Sequence, residues 1–159
     1  NRIFKVAGVG QAEIDVLSIQ QNQQVIAIEC KGYSPRAMIP DDLFKRWLHH
    51  NVPTAYAYVR DHPEWRNLPV TFEFWSSSPI SDEMMSLFEK ARAEIKASRY
   101  TIELRGPSDV WKACADTREK SLIHAYDNHF TPGDGTLPPR SKARPVINKS
   151  IAATEDENG

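Results

Sequence analysis

Three residues near the start of the chain could act together on a phosphate: Asp15, Glu29 and Lys31. Two carboxylates that lie close together repel each other unless a cation compensates them. Mg²⁺ prefers such hard oxygen ligands and leaves room for water and for a substrate phosphate. A lysine beside them can hydrogen-bond an attacking water or neutralise charge that develops on a phosphoryl group.

A predicted hairpin would bring these side chains together. Residues 12–19 and 25–31 are rich in β-branched residues, and the polar stretch between them reads as a turn. A loop at 21–23 would place Leu17 opposite Ala27, and by the same count it would place the aspartate opposite the glutamate, with Cβ atoms about 5 Å apart.

The lysine belongs to the second strand of this hairpin, and its position there determines the face to which its side chain points. Lys31 lies two residues after Glu29, so both side chains should point to the same face. Both faces of residues 25–31 are otherwise apolar, Cys30 included, which is typical of a strand covered by other elements. We therefore expect this strand to be central in its sheet and Cys30 to be buried.

The rest of the chain alternates between helical and extended patterns. We expect helices over 41–50, from Ser81 or Asp82 to about 98, and from 109 to about 129, and strands over 54–59, 70–75 and 100–104. This order predicts an α/β (α+β) fold with a central mixed β-sheet flanked by helices. The pattern ends near Thr131, so residues 1–130 are interpreted as one domain and 131–159 as an irregular, flexible tail or linker.

Composition excludes several classes of protein. The chain has 159 residues, 40% of them apolar, which fits one globular domain. It has no apolar run of the ~18 residues that a membrane span needs. Its net charge of −1 gives no general attraction to a polyanion. The two cysteines, Cys30 and Cys114, are expected to be reduced, which favours a cytoplasmic location.

The residues around the hairpin resemble a known superfamily. The segment Glu13-Ile14-Asp15, with thirteen residues separating Asp15 from Glu29, and the segment Ile28-Glu29-Cys30-Lys31-Gly32 are similar to the motifs of PD-(D/E)XK nucleases. Residues 74–81 and 100–104 look like the second half of Mrr-like restriction endonuclease domains. Two departures are that Ile14 replaces the motif's proline and that the superfamily's N-terminal helix would lie upstream of this chain or be absent.

The resemblance implies a restriction endonuclease-like core and Mg²⁺-dependent hydrolysis of phosphodiester bonds, with Mn²⁺ able to substitute. Asp15 and Glu29 would be metal ligands together with the main-chain carbonyl of Cys30, and Lys31 would position the attacking water. The expected substrate is DNA, in restriction, phage defence or a related setting, and double-strand cutting would call for a homodimer or a larger protein context.

Other residues are candidates for contacts with nucleic acid. Tyr33 and Arg36 follow the second hairpin strand, and three basic residues lie in the predicted tail: Arg140, Lys142 and Arg144. Trp65 could stack on a base, although packing in the core is the simpler interpretation.

Other interpretations of these residues are also open from sequence. Glu29 and Lys31 could form an ion pair on a solvated sheet face, and Glu13 could pair with Lys31 rather than join a metal site. His49 and His50 are expected beside the negative pole at a helix end. The domain as a whole could be an inactive member of the nuclease fold that binds nucleic acid or a protein partner.

Overall fold

The computed structural model describes residues 2–6, 10–21, 23–33, 37–95 and 100–130. Its strands are β1 (Arg2–Val6), β2 (Gly10–Ile14), β3 (Val16–Gln20), β4 (Gln24–Lys31), β5 (Val70–Ser76) and β6 (Thr101–Arg105). Its helices are α1 (Asp41–Arg46), α2 (Val52–Asp61), α3 (Asp82–Glu94), α4 (Pro107–Asp116) and α5 (Lys120–Phe130), and a π-helical turn, Trp47–Asn51, joins α1 to α2.

A four-stranded mixed sheet with the order β3-β4-β5-β6 forms the centre of the fold. β3 and β4 are antiparallel, whereas β4, β5 and β6 are parallel. The predicted mixed sheet flanked by helices is confirmed, as is the interior position of β4. The predicted hairpin register is also confirmed, because Leu17 pairs with Ala27.

One face of this sheet carries the core. Side chains of β4, β5 and β6 meet α1, α2 and α3 in a single buried cluster. Its aromatic centre is formed by Phe44, Trp47 and Phe74, whose ring centroids lie 5.2–5.5 Å apart. Tilted and edge-on contacts of this kind contribute stability beyond the area that they bury.

The segment from 41 to 61 is helical throughout, whereas the sequence predicts a helix over 41–50 and a strand over 54–59. The expected strand over 54–59 is wrong, because Thr54 and Val59 lie in α2, where both are buried. Pro53 has no N–H to give to the carbonyl four residues back, and the chain widens into a π turn just before it, where the N–H of Val52 bonds to the carbonyl of Trp47. The helix therefore continues past Pro53.

Two further element boundaries differ from the sequence predictions. The expected helix from 109 to 129 is divided into α4 and α5 by a turn in which Arg118 has a φ of 58°. The expected strand over 12–19 is divided at Asp15 into β2, which pairs with β1, and β3, which pairs with β4. No helix among the described residues has the length and apolar character that crossing a bilayer requires.

The aromatic centre gives a first testable prediction. Phe74→Ala removes a fully buried ring that contacts two others, and it should lower the free energy of unfolding by about 3–5 kcal/mol in urea denaturation. Met85→Ala, on the exposed side of α3, is the matched control and should change the free energy by less than about 0.5 kcal/mol. Equal effects of the two substitutions would contradict the assigned core.

Candidate active site

Asp15 lies at the bend between β2 and β3. Its Oδ2 accepts a hydrogen bond of 2.8 Å from the main-chain N–H of Cys30 in β4. The β3–β4 ladder ends with the pair Val16 and Ile28, so the predicted ladder pair of Asp15 with Glu29 does not form. The aspartate instead reaches the second strand through its own side chain.

Glu29 and Lys31 lie on the same face of β4, as strand alternation predicts, and they form an ion pair. The glutamate belongs to the core face, where it follows Val25 and Ala27 in the alternation of buried positions, and it is only 7% exposed. Phe74 is its neighbour on β5. A charged carboxylate in this apolar setting needs a partner, and Lys31 supplies one.

The pKa of Glu29 is raised above its ordinary value. Burial of the carboxylate is the largest cause, and the charges of Asp15 and Glu13 add to it. The hydrogen bond and the positive charge of Lys31 act in the opposite direction but do not outweigh burial. The carboxylates of Asp15 and Glu13 also lie close enough to Glu29 to act on it, alongside the single ammonium group of Lys31, and this arrangement is a favourable setting for a cation.

The ammonium group of Lys31 keeps its proton. Burial alone would lower its pKa, but the hydrogen bond to Glu29, together with the charges of Glu29, Asp15 and Tyr33, raises the pKa above the ordinary value. A lysine in this state can donate hydrogen bonds to a phosphate oxygen or to a water, and it cannot act as a base at neutral pH.

Cys30 differs from its prediction, because the structure places it in an exposed position rather than a buried one. Its side chain lies on the face of β4 opposite to Glu29 and Lys31. Partial desolvation and the neighbouring charges of Asp15 and Glu29 raise the pKa of its thiol, so it stays protonated. A protonated thiol is a poor nucleophile, which argues against cysteine chemistry here.

A serine turn after β5 fixes the main chain of Lys31, and sequence reasoning missed this role. The N–H of Ser77 donates to the carbonyl of Lys31 at 3.2 Å, and the Ser77 hydroxyl lies 3.5 Å from that oxygen. Ser76 and Ser78 close the turn with two hydrogen bonds of 2.9 Å between them. The only signal in the sequence is three successive serines at the end of a strand.

A contact joins β2, the strand that precedes Asp15, to the π turn. The ring of His50 lies 3.0 Å from the carbonyl oxygen of Gln11. Gly10 begins β2 with a φ of +135°, a conformation that favours glycine, and a Cβ there would meet the His50 ring at 3.5 Å. The prediction that His49 and His50 end a helix is wrong, because both lie in the π turn of a helical segment that continues into α2.

The candidate nucleic-acid contacts are only partly described. Tyr33 is exposed just beyond β4. Arg36, Arg140, Lys142 and Arg144 lie outside the described residues, as does the whole predicted tail 131–159. Trp65 stacks on His62 with ring centroids 3.6 Å apart and packs against the core cluster, so the simpler interpretation of this residue holds.

Asp15 and Glu29 fit one kind of metal site. Within the described ranges, no group of three or more His, Cys, Asp or Glu side chains is arranged to hold a metal ion. Mg²⁺ is nevertheless often held by one or two carboxylates, with water and substrate phosphate completing its shell. Asp15 and Glu29 suit a Mg²⁺ ion that is also bound by water, and they do not enclose the ion on all sides. The carbonyl of Cys30 as a third ligand stays a prediction.

The raised pKa of Glu29 gives a prediction for stability against pH. A carboxyl group whose pKa is higher in the folded protein favours folding below its ordinary pKa of 4.5 and loses this contribution as pH rises through the folded value. Glu29→Gln should therefore be more stable than the wild type at pH 7 in EDTA, and the difference should vanish as pH falls below 4.5. Urea denaturation at several pH values measures this, and a difference that does not depend on pH would contradict it.

No protein-family model matches this chain, and the searches of curated proteins and of solved structures also found no significant match.

Proposed function

We propose that this domain is a metal-dependent nuclease that hydrolyses phosphodiester bonds, with DNA as its expected substrate and a restriction endonuclease-like core as its fold. One observation carries the proposal: the bend at Asp15 and the face of β4 bring two carboxylates and a protonated lysine to one end of the sheet. Their types, order and spacing resemble the motifs of PD-(D/E)XK nucleases.

The excess of negative charge around Glu29 supports a role for a cation. Burial and two neighbouring carboxylates make the ionised form of Glu29 unfavourable, and Lys31 compensates this only in part. Asp15 and Glu29 would hold Mg²⁺, or Mn²⁺ in its place. The ion would polarise a phosphodiester and lower the pKa of a bound water.

The lysine has a separate role in this proposal. Lys31 is held from two sides, since Glu29 pairs with its ammonium group and Ser77 holds its carbonyl. A protonated amine in a fixed position can orient the attacking water or stabilise charge on the phosphoryl oxygens. It does so without moving, so little reorganisation is needed during the reaction.

The position of the site suits an extended polyanion. Lys31 is half-buried, and Tyr33, two residues later, is exposed. The candidate site therefore opens to solvent where β4 ends. With a net charge of −1 on the whole chain, attraction to a nucleic acid must come from local positive charge. Contacts from Arg36 and from the tail residues Arg140, Lys142 and Arg144 remain part of the proposal.

A second candidate function has its own supporting observation. Glu29 pairs with Lys31, and Asp15 bonds to the N–H of Cys30, so the polar groups of the site largely satisfy one another. This favours a domain that keeps the nuclease fold but binds nucleic acid or a protein partner without cutting. The two functions differ in their response to Mg²⁺.

Three substitutions test the nuclease proposal. Asp15→Asn and Glu29→Gln remove ligand charge, and Lys31→Met removes the positioned amine, so each should lower cleavage by about 100-fold or more. Cleavage is measured on single- and double-stranded DNA and RNA, with Mg²⁺, with Mn²⁺ and with EDTA. Mn²⁺ binding, measured by calorimetry, should weaken in the first two variants and persist in the third.

Cys30→Ala is the matched control, because its side chain points away from the site while its main chain is unchanged. It should cut as the wild type does. Glu29→Gln is especially informative, since it should lose cleavage while gaining stability at pH 7. Metal-dependent cleavage that survives in any of the three variants would contradict the assignment, and nucleic-acid binding without cleavage in the wild type would favour the second candidate.

A further inference from the structure

β6 is an outer strand of the central sheet. β5 pairs with one side of it, and no strand within the described ranges pairs with the other. Unpaired N–H and C=O groups along such an edge offer a template for another strand.

A groove of about 470 Å³ runs along this edge. Its walls are β6 itself and the end of α3, with Phe88, Arg92 and Ile95 as the lining residues on the helical side. Leu104 contributes an apolar side chain from the strand. The groove therefore has room for the side chains of an added strand, next to the backbone groups that would hold it.

Two residues of opposite charge also line the groove. Glu103 and Arg105 form an ion pair with each other, and their side chains are 41% and 39% exposed, so both can meet another molecule. Arg105 donates to Glu103 through Nη2, while its enclosed Nε has no hydrogen-bond partner among the described residues. A second carboxylate nearby would allow the guanidinium to use more of its donors.

The sequence of β6 is complementary to itself when it is turned antiparallel. Centring a pair of these strands on Glu103 places two carboxylates opposite each other, which is unfavourable. Centring the pair on Leu104 places each Glu103 opposite an Arg105, twice by symmetry, and packs the two leucines together at the groove. Of these two registers, charge favours the one centred on Leu104.

We propose that two copies of this chain associate by antiparallel pairing of their β6 strands, with Leu104 opposite the partner's Leu104 and Glu103 opposite the partner's Arg105. The contact is isologous, and it joins the two four-stranded sheets into one continuous sheet. It involves none of the residues Asp15, Glu29 and Lys31, so the inference stands or falls independently of the nuclease proposal.

Charge reversal tests this interface. The full chain should show a concentration-dependent dimer in sedimentation equilibrium over an about 100-fold concentration range. Glu103→Arg or Arg105→Glu alone creates like-charge pairs and should raise the dissociation constant by about 10-fold or more. The double variant, Glu103→Arg with Arg105→Glu, restores opposite charges both within and between chains and should dimerise as the wild type does.

The controls separate this interface from a general effect of charge. Glu64→Arg makes the same change at an exposed position in the turn after α2 and should leave dimerisation unchanged. Thermal unfolding of each variant verifies that it is folded. A monomeric wild type, single reversals that match the Glu64 control, or a double variant that stays dissociated would each overturn the proposal.

Discussion

A carboxylate on the core face of the central strand is the constraint around which this fold is arranged. Glu29 follows two fully buried apolar residues on β4 and has Phe74 beside it on β5. An isolated charge in such a place is costly, so the surrounding chain must supply compensation. Lys31 lies on the same strand face, and Ser77 holds the main chain that carries it.

The division of one extended segment into two strands is the second determinant of the site. β2 pairs with β1 and contacts the helical layer, while β3 pairs with β4 in the central sheet. Asp15 lies at the point of division, where the main chain has left one ladder and not yet joined the other. A residue in an unbroken ladder would point straight away from the sheet, whereas the bend lets this carboxylate turn onto the N–H of Cys30.

Local patterns in the sequence predict the hairpin of β3 and β4 and the strand face on which Glu29 and Lys31 lie. The short polar loop predicts the register in which Leu17 pairs with Ala27. The alternation of side chains along a strand predicts that Glu29 and Lys31 lie on one face. Both features depend only on neighbouring residues and strand geometry. The ion pair between Glu29 and Lys31 satisfies the same strand geometry.

The sequence predictions that are wrong concern residues whose structure depends on tertiary contacts. Residues 54–59 alternate in size and follow a proline, so they resemble a strand, yet a π turn continues the helix past Pro53 and they lie in α2, which contacts β1 and β2. In the turn between α4 and α5, Arg118 has a positive φ, and the sequence has no glycine there to indicate a turn. The sequence predicts a buried Cys30 because β4 is central, but this residue is exposed near the end of β4.

The segment between β4 and α1 is fastened near both of its ends, and this has an evolutionary consequence. The carbonyls of Lys31 and Tyr33 lie against Ser77, while Asp41 at the start of α1 accepts a hydrogen bond from Ser81, which caps α3. Because both anchor points belong to the same connection between β5 and α3, the residues ahead of the buried Ile39 can change in number without displacing either end. Doubling such a loop costs only about 0.6 kcal/mol in closure entropy. Lineages could therefore lengthen the part of this segment ahead of Ile39, beside the candidate site, while the residues that hold the central strand stay in place.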